Sequence, residues 1–207
     1  MLTLIHAPQS RSSRIITLID EMGIQDWVKI EPVSILRMDG SGHHDAGNPH
    51  PEGKVPLLIH DGAVIRESGA IIQYLTDLFP DAGLGRPVGH AQRGEYISWL
   101  YWYGAVMEPV LVCDALGLSQ PSLARTFRGV AELTAKLSAA LQTRPYLLGD
   151  SYSAADLLVH SPYAWFKDAT PNDPAIRDWV ARCMARPSVA RTQVSDAALM
   201  AQVAAAA

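Results

Sequence analysis

Residues 53–72 read GKVPLLIHDGAVIRESGAII and combine a strand–turn–strand pattern with the start of a helical one. Two β-rich runs, Pro56–His60 and Ala63–Arg66, flank the pair Asp61-Gly62. Because glycine tolerates the positive φ that a primed turn demands, this spacing predicts a β-hairpin. The segment Glu67–Leu78 follows with apolar residues at helical spacing, which predicts a helix directly after the hairpin.

The segments before the hairpin continue the same α/β pattern. Leu2–His6 and Trp27–Val33 predict two strands, and the apolar spacing between them predicts a helix that ends near Gly23. Arg37–Gly53 holds Gly40, Gly42, Gly47, Pro49 and Pro51. Because so many breakers prevent a stable helix, this segment predicts an irregular loop. Residues 1–79 therefore predict a small α/β domain with a mixed or parallel sheet.

Beyond Phe79-Pro80 the strand patterns disappear. Residues 80–89 contain three glycines and two prolines and predict a linker. The rest, residues 90–207, predicts an all-helical domain. We expect helices near 90–116, 121–142, 153–166 and 173–185, a short helix from about 187, and a frayed, mobile tail at Ala204–Ala207.

Composition and charge narrow the function classes. Hydrophobic residues make up 48% and charged residues 18%, which is typical of a globular protein. Lys and Arg number 17 against 21 Asp and Glu, so no overall positive field attracts nucleic acid or an anionic membrane. Cys113 and Cys183 stand far apart, without metal-ligand spacing, and indicate neither a disulfide framework nor a metal site. With no signal-like or membrane-length apolar run, we expect a cytoplasmic protein.

Two short motifs suggest a binding site. We expect the Val55-Pro56 peptide bond to be cis, so that Val55 presents its backbone N–H and C=O as a strand edge to an extended peptide. The helix that begins at Glu67-Ser68 offers free amides and a hydroxyl to a carboxylate, and Glu67 offers its charge to an amine. Such a set suits a small molecule that is peptide-like in the middle and a free amino acid at one end. Taken singly, each motif is more often a plain turn or a helix start.

The order Gly-Lys-Val-Pro-Leu-Leu, Asp-Gly, Glu-Ser-Gly-Ala-Ile resembles the glutathione-binding core of cytosolic glutathione transferases. Ser153 to Asp156 looks like the capping box of that family, and Trp179 to Pro187 looks like its closing helix. The resemblance implies a thioredoxin-like N-terminal domain, of order βαβαββα with a mixed four-stranded sheet, and an all-α C-terminal domain. It also implies a homodimer.

The resemblance implies a thiol activator in the loop HAPQSRSSR, residues 6–14. When Arg14 is laid on the arginine of theta-like members, Ser10 falls on the catalytic serine. When the loop is laid on the beta class, Arg11 stands where that class has a cysteine and Ser12 is its neighbour. Ser10 is the first choice, Ser12 and Ser13 remain alternatives, and at least one of those two is expected to be an N-cap. Arg11 is either a source of positive potential at the thiolate or a solvated side chain.

Further residues are assigned through the same resemblance. Lys54 matches the lysine that receives the glycine carboxylate of glutathione, and His50 is a second candidate. Tyr103 and Met107, an i, i+4 pair in an aromatic-rich helix, are candidates for a hydrophobic substrate site. No metal is expected.

The implied function is glutathione transfer to a small hydrophobic electrophile after ionisation of the glutathione thiol. A glutathione-dependent isomerase, or a disulfide or peroxide reductase, on the same site is the alternative within enzymes. A non-catalytic binding protein of the same fold is the alternative outside enzymes, because a fold alone does not settle function.

Overall fold

A computed structural model describes residues 1–206, apart from the side chains of Lys167 and of residues 203–206. The prediction for the tail Ala204–Ala207 concerns side chains outside this description. The chain divides into two compact units. Unit 1 contains residues 1–75 and 186–207, and unit 2 contains residues 76–185.

The first part of the chain has four strands and two α-helices. In chain order they are β1 (Leu2–His6), α1 (Ser13–Met22), β2 (Val28–Pro32), β3 (Leu57–His60), β4 (Ala63–Ile65) and α2 (Ser68–Leu78). One 3₁₀ turn, Gln25–Trp27, precedes β2, and another, Pro80–Ala82, follows α2.

The remaining elements are all helical. They are α3 (Arg93–Trp102), a π-helical segment (Tyr103–Met107), α4 (Glu108–Ala115), α5 (Leu123–Thr126), α6 (Val130–Leu141), α7 (Ala154–Trp165), a 3₁₀ turn (Lys167–Ala169), α8 (Pro174–Met184) and α9 (Pro187–Ala206).

The sheet of unit 1 has the order β2-β1-β3-β4. β1 pairs with β2 in parallel and with β3 antiparallel, and β3 and β4 form the predicted hairpin. Asp61 and Gly62 have φ of 48° and 85°, as a primed turn requires. The sequence-based prediction of a mixed four-stranded sheet is confirmed.

No α-helix forms between β2 and β3, where the order βαβαββα has one. This agrees with the loop that the glycines and prolines of Arg37–Gly53 predict. Gly42 shows the physical reason: its φ is 75°, and a β-carbon added there would lie 2.1 Å from the carbonyl oxygen of Ile35. The chain therefore crosses this segment as an irregular connection.

The last helix differs most from expectation. Instead of a short helix, α9 has 20 residues, and it belongs to unit 1 rather than to the helical unit. Its buried side chains include Val189, Thr192 and Asp196. The hydroxyls of Thr17 on α1 and Thr192 lie 2.9 Å apart in a hydrogen bond. Packing against α1 thus stabilises α9, whose length is not evident from its alanine-rich sequence alone.

Unit 2 contains the predicted helices with one interruption. The expected helix 121–142 is divided by residues 127–129 into α5 and α6. The capping box at the start of α7 is confirmed, because Ser153 and Asp156 exchange side-chain to backbone hydrogen bonds. Asp156 also accepts hydrogen bonds from the Leu147 amide at 2.8 Å and from Trp179 Nε1 at 2.9 Å. These bonds fix the start of α7 in the core of the unit.

Candidate functional site

The strand register brings three short segments to one end of the sheet. Ile5 near the end of β1 lies opposite Leu57 at the start of β3, and Leu58 lies opposite Ile65 at the end of β4. The loop after β1, the residues before β3 and the residues after β4 therefore meet at this end. These segments hold the three motifs that the sequence singled out.

The peptide bond between Val55 and Pro56 is cis, as predicted. The Val55 side chain is buried in a small apolar cluster with Ile5, Ala7 and Leu57. Its backbone lies outside β3, which begins at Leu57. The cluster fixes the position of the Val55 backbone next to the loop that follows β1.

Glu67 and Ser68 form the junction between β4 and α2. Glu67 has a φ of 69°, which is rare for a residue with a side chain, and its carbonyl accepts the hydrogen bond of the Ile71 amide at 2.9 Å. Glu67 is exposed and Ser68 is half-buried. The first amides of a helix lack intrahelical partners, so this junction offers donors to an anion beside an accessible carboxylate.

Ser12 is fully buried and its hydroxyl has four neighbours. Oγ lies 2.8 Å from His6 Nδ1 and 2.8 Å from Ser10 Oγ, accepts from the Ala7 amide at 3.1 Å, and is 3.0 Å from the Ala7 carbonyl oxygen. Ser12 occupies the N-cap position of α1, but its side chain makes no capping bond. Its hydroxyl forms hydrogen bonds with β1 and the loop after it, not with the amides at the start of α1.

Ser10 is half-buried and has fewer partners. Its Oγ accepts from the Ser12 amide at 3.1 Å, and it lies 2.7 Å from the Ala7 carbonyl oxygen, to which it donates. The neighbouring Arg11 is exposed. Of the two serines first considered, Ser10 is therefore the more accessible.

His6 and Asp196 were not among the predicted site residues. His6 Nε2 lies 3.1 Å from Asp196 Oδ1, and both side chains are buried. Asp196 Oδ2 accepts from Ser13 Oγ at 2.5 Å and from the Gln9 amide at 2.6 Å. Burial raises the pKa of Asp196, but hydrogen bonds from His6, Ser13 and the Gln9 amide outweigh it and leave the pKa below its ordinary value. Because Asp196 lies 190 residues from His6, no local sequence signal pointed to this contact.

Lys54 and His50 lie in the loop before β3. The Lys54 side chain is 70% exposed, and its Nζ is 2.5 Å from Glu52 Oε2. The hydrogen bond from Lys54 and its charge lower the pKa of Glu52. His50 is buried, and its Nδ1 accepts the Glu52 amide at 3.0 Å. In its neutral form His50 therefore carries its ring proton on Nε2.

Tyr103 and Met107 belong to the π-helical segment of unit 2. Their exposed fractions are 2% and 0%, so neither side chain presents open surface in this structure. That Tyr103 and Met107 contact the electrophile stays a prediction.

Models of known families match both parts of the chain. The glutathione S-transferase N-terminal domain matches residues 4–85, and the glutathione S-transferase C-terminal domain matches residues 105–187. The chain belongs to the glutathione S-transferase family. It is accordingly an enzyme of the transferase class, and the family uses glutathione.

Curated relatives agree with this assignment. Protein LigF from Sphingobium sp. (strain NBRC 103272 / SYK-6) is 27% identical over 188 residues, which cover 68% of this chain and 73% of that protein. Glutathione S-transferase GstA from Escherichia coli O157:H7 is 30% identical over 124 residues, which cover 56% of this chain and 59% of that protein.

Solved structures share the fold of this glutathione S-transferase. A sphingomonad glutathione S-transferase complexed with glutathione matches with a TM-score of 0.74 at 24% identity, covering 94% of this chain and 98% of that one. The bacterial beta class glutathione S-transferase of Sphingomonas chungbukensis matches with a TM-score of 0.73 at 25% identity and the same coverage. The thioredoxin-like and helical parts of the fold are thereby confirmed.

The described residues hold neither a metal-binding cluster nor a membrane-spanning helix. Within the part of the chain that the structure describes, no group of three or more His, Cys, Asp or Glu side chains is arranged to hold a metal ion. None of its described helices combines the length and the apolar character that crossing a membrane requires.

Proposed function

We propose that this enzyme binds glutathione at the common end of β1, β3 and β4, stabilises its thiolate through Ser10, and conjugates glutathione through its sulfur to a small hydrophobic electrophile. The observation that carries the proposal is the meeting of the cis Val55-Pro56 bond, the Glu67-Ser68 junction and the serine loop at one end of the sheet. In this arrangement each part of the tripeptide has a matching group.

The γ-glutamyl end is assigned to Glu67 and Ser68. The amides at the start of α2 and the Ser68 hydroxyl are donors for the glutamyl carboxylate, and the exposed Glu67 carboxylate pairs with the glutamyl amine. The backbone of Val55 then forms strand-like hydrogen bonds with the central cysteine.

The glycine carboxylate at the other end is assigned to Lys54, with His50 as a further donor. Lys54 is exposed and already pairs with the carboxylate of Glu52, so it exchanges one carboxylate partner for another. The Nε2–H of neutral His50 is a donor of the kind that a carboxylate accepts.

Thiol activation is assigned to Ser10. A cysteine-type thiol has a pKa of about 8.5 and is mostly protonated at neutral pH. A hydroxyl donor close to the start of α1 stabilises the thiolate, and the exposed Arg11 adds positive charge. The thiolate then attacks the electrophilic centre, a carbon–sulfur bond forms, the leaving group departs with its electron pair, and the thiol proton goes to solvent. The contribution of the protein is alignment and electrostatic stabilisation.

The cysteines argue against a reductase that uses its own thiol. Unit 1, which holds the three motifs, contains no cysteine, since Cys113 and Cys183 belong to unit 2. This favours transfer over disulfide exchange through a protein cysteine. The homodimer and the cytoplasmic location that the sequence suggests stay predictions.

Binding of glutathione to matched variants tests the site. We expect Glu67→Gln and Ser68→Ala each to weaken binding by about 1–3 kcal/mol, because each leaves a charged partner on glutathione unpaired. Isothermal titration calorimetry measures the affinities.

The control is Glu31→Gln, the same change on β2, the edge strand on the far side of the sheet from β4. It is expected to leave the affinity unchanged. Wild-type affinity in both Glu67→Gln and Ser68→Ala would refute the site assignment.

A further inference from the structure

A chain of four side chains connects α9 to the serine loop. It runs from Asp196 Oδ1 to His6 Nε2 at 3.1 Å, from His6 Nδ1 to Ser12 Oγ at 2.8 Å, and from Ser12 Oγ to Ser10 Oγ at 2.8 Å. Asp196, His6 and Ser12 are buried, and Ser10 is half-buried. The chain thus leads from the core of unit 1 to the accessible serine.

The position of each proton in this chain follows from Asp196. Its carboxylate is ionised at neutral pH and has no proton to give, so His6 Nε2 is the donor to Oδ1. In a neutral imidazole the other nitrogen, Nδ1, is then an acceptor. The Ser12 hydroxyl has two acceptors within reach, His6 Nδ1 at 2.8 Å and Ala7 O at 3.0 Å. Because Ser12 is the donor that a neutral His6 Nδ1 needs, its only proton goes to His6.

This assignment separates the roles of the two serines. Ser12 Oγ accepts from the Ala7 amide at 3.1 Å and keeps one lone pair for Ser10. Ser10 Oγ accepts from the Ser12 amide, and its proton is directed at Ala7 O or at Ser12 Oγ. The Ser10 proton alone is free to turn to a new acceptor without breaking the chain.

We propose that His6 and Asp196 are positioning residues for thiol activation, which hold the Ser12 proton and leave the Ser10 hydroxyl as the donor to the glutathione thiolate. This inference rests on the proposed function, since it names the groups that orient the activating serine. Both residues act through Ser12 and make no contact with glutathione themselves.

Asp196→Asn reverses the donor and acceptor roles in these hydrogen bonds with little change in the shape of the side chain. The Gln9 amide is a fixed donor 2.6 Å from Oδ2, so the new side chain has to place its carbonyl oxygen there and its NH₂ toward His6. His6 Nε2 becomes an acceptor, and its ring proton moves to Nδ1. The Ala7 N–H and the His6 Nδ1–H then both donate to Ser12 Oγ and occupy its two lone pairs. The Ser12 hydroxyl proton has to turn to the Ala7 carbonyl oxygen, which the Ser10 proton also uses. Ser10 then loses Ser12 Oγ as an acceptor, and with it one of the hydrogen bonds that position its hydroxyl.

The first test measures the tautomer of His6 by long-range ¹H–¹⁵N NMR in the wild-type protein without glutathione. We expect the Nε2–H form in the wild type and the Nδ1–H form in Asp196→Asn. An Nδ1–H tautomer or a doubly protonated ring in the wild type would overturn the inference, because Nδ1 would then donate to Ser12. This result does not depend on how any variant folds.

The second test follows the thiolate absorbance of bound glutathione against pH, together with steady-state kinetics. We expect Asp196→Asn to raise the pKa of the bound thiol by at least half of the rise that Ser10→Ala causes. We expect kcat to fall about tenfold at neutral pH, because a misdirected hydrogen-bond donor stabilises the thiolate less. The KM for glutathione should change less than twofold. His6→Asn keeps an acceptor near the Nδ1 position and is expected to retain more activity than His6→Gln.

The matched control is Asp20→Asn, which removes the 2.7 Å ion pair between Asp20 on α1 and Arg191 on α9 without touching the chain. It is expected to leave the thiol pKa unchanged. A wild-type thiol pKa in Asp196→Asn, while Ser10→Ala raises it, would refute the inference and leave the proposed function intact. An unchanged pKa in Ser10→Ala would instead refute the proposed activator.

Discussion

Ser10 and Ser12 differ in what their hydroxyl protons are able to do. Ser12 is 0% exposed and its Oγ lies 2.8 Å from His6 Nδ1, whereas Ser10 is half-buried and its hydroxyl donates to the Ala7 carbonyl oxygen. Sequence comparison of the loop left both serines open. The hydrogen bonds favour Ser10 and give Ser12 and Ser13 structural partners within the protein, His6 and Asp196 respectively.

Glu67 carries a conformational cost at the position where it is proposed to bind glutathione. A left-handed φ costs a residue with a β-carbon about 1–2 kcal/mol. We expect Glu67→Gly to raise the melting temperature by about 2–4 °C, the shift of roughly 1 kcal/mol in a domain of this size, and to weaken glutathione binding.

Glu67→Ala is the matched comparison, because it removes the carboxylate and keeps the β-carbon. Thermal unfolding and calorimetry of the two variants separate strain from binding. Equal melting temperatures for Gly and Ala at this position would contradict the strain argument.

Local signals made some residues predictable and left others hidden. The capping box depends on Ser153 and Asp156, three positions apart, and the cis bond at Val55-Pro56 was expected from its pairing with Glu67-Ser68, eleven residues after the proline. Both predictions are confirmed. The partners of His6 and Ser13 lie on α9, more than 180 residues away, so only the folded chain reveals them.

Among the elements, α9 depends most on its packing partner. Glu21 on α1 accepts two hydrogen bonds from Arg186 and one from Ser188 at the start of α9. Burial raises the pKa of Glu21, but the Arg186 and Ser188 hydrogen bonds outweigh it and leave the pKa below its ordinary value. This carboxylate anchors the N-terminus of α9 to α1.

Acid is expected to weaken that anchor. Because the folded pKa of Glu21 lies below its unfolded value of about 4.3, the stabilisation is present above that pH and is lost as the pH falls through the folded pKa. Glu21→Gln should cost about 2 kcal/mol of unfolding free energy at pH 7. The difference from wild type should narrow as the pH falls below about 4.

Urea unfolding at a series of pH values measures this difference. Glu31→Gln serves again as the control, since the Glu31 side chain is 43% exposed and pairs with Lys29. If the difference in unfolding free energy between wild type and Glu21→Gln stays constant down to pH 3, the Glu21 charge is not the source of the stabilisation.

The elements themselves were predictable to different degrees. The hairpin at Asp61-Gly62 and the helix α2 follow from turn chemistry and apolar spacing, which act locally. The length of α9 was not predictable, because its alanine-rich sequence forms a helix of 20 residues where α1 buries one side of it. The break between α5 and α6 was also missed, although Gly129, whose φ is 86°, marks it in the sequence.

For the whole molecule, the three site motifs belong to unit 1, which is built from both ends of the chain. The sequence predicted the change from α/β to all-helical texture near residue 79, because strand patterns stop there. It did not predict that residues 186–207 return to the first unit, since that association depends on contacts such as those of Thr192 and Asp196 with the beginning of the chain.

In the proposed function, this glutathione S-transferase ionises bound glutathione through the Ser10 hydroxyl. The most direct measurement is the thiolate absorbance of the enzyme–glutathione complex, followed against pH at saturating enzyme in the wild type, Ser10→Ala and Ser12→Ala. We expect the wild-type complex to titrate well below the reference thiol value of about 8.5. Ser10→Ala should move the pKa back toward that value, with a smaller shift for Ser12→Ala. A wild-type complex that titrates like free glutathione, or a Ser10→Ala complex that titrates like the wild type, would contradict the claim.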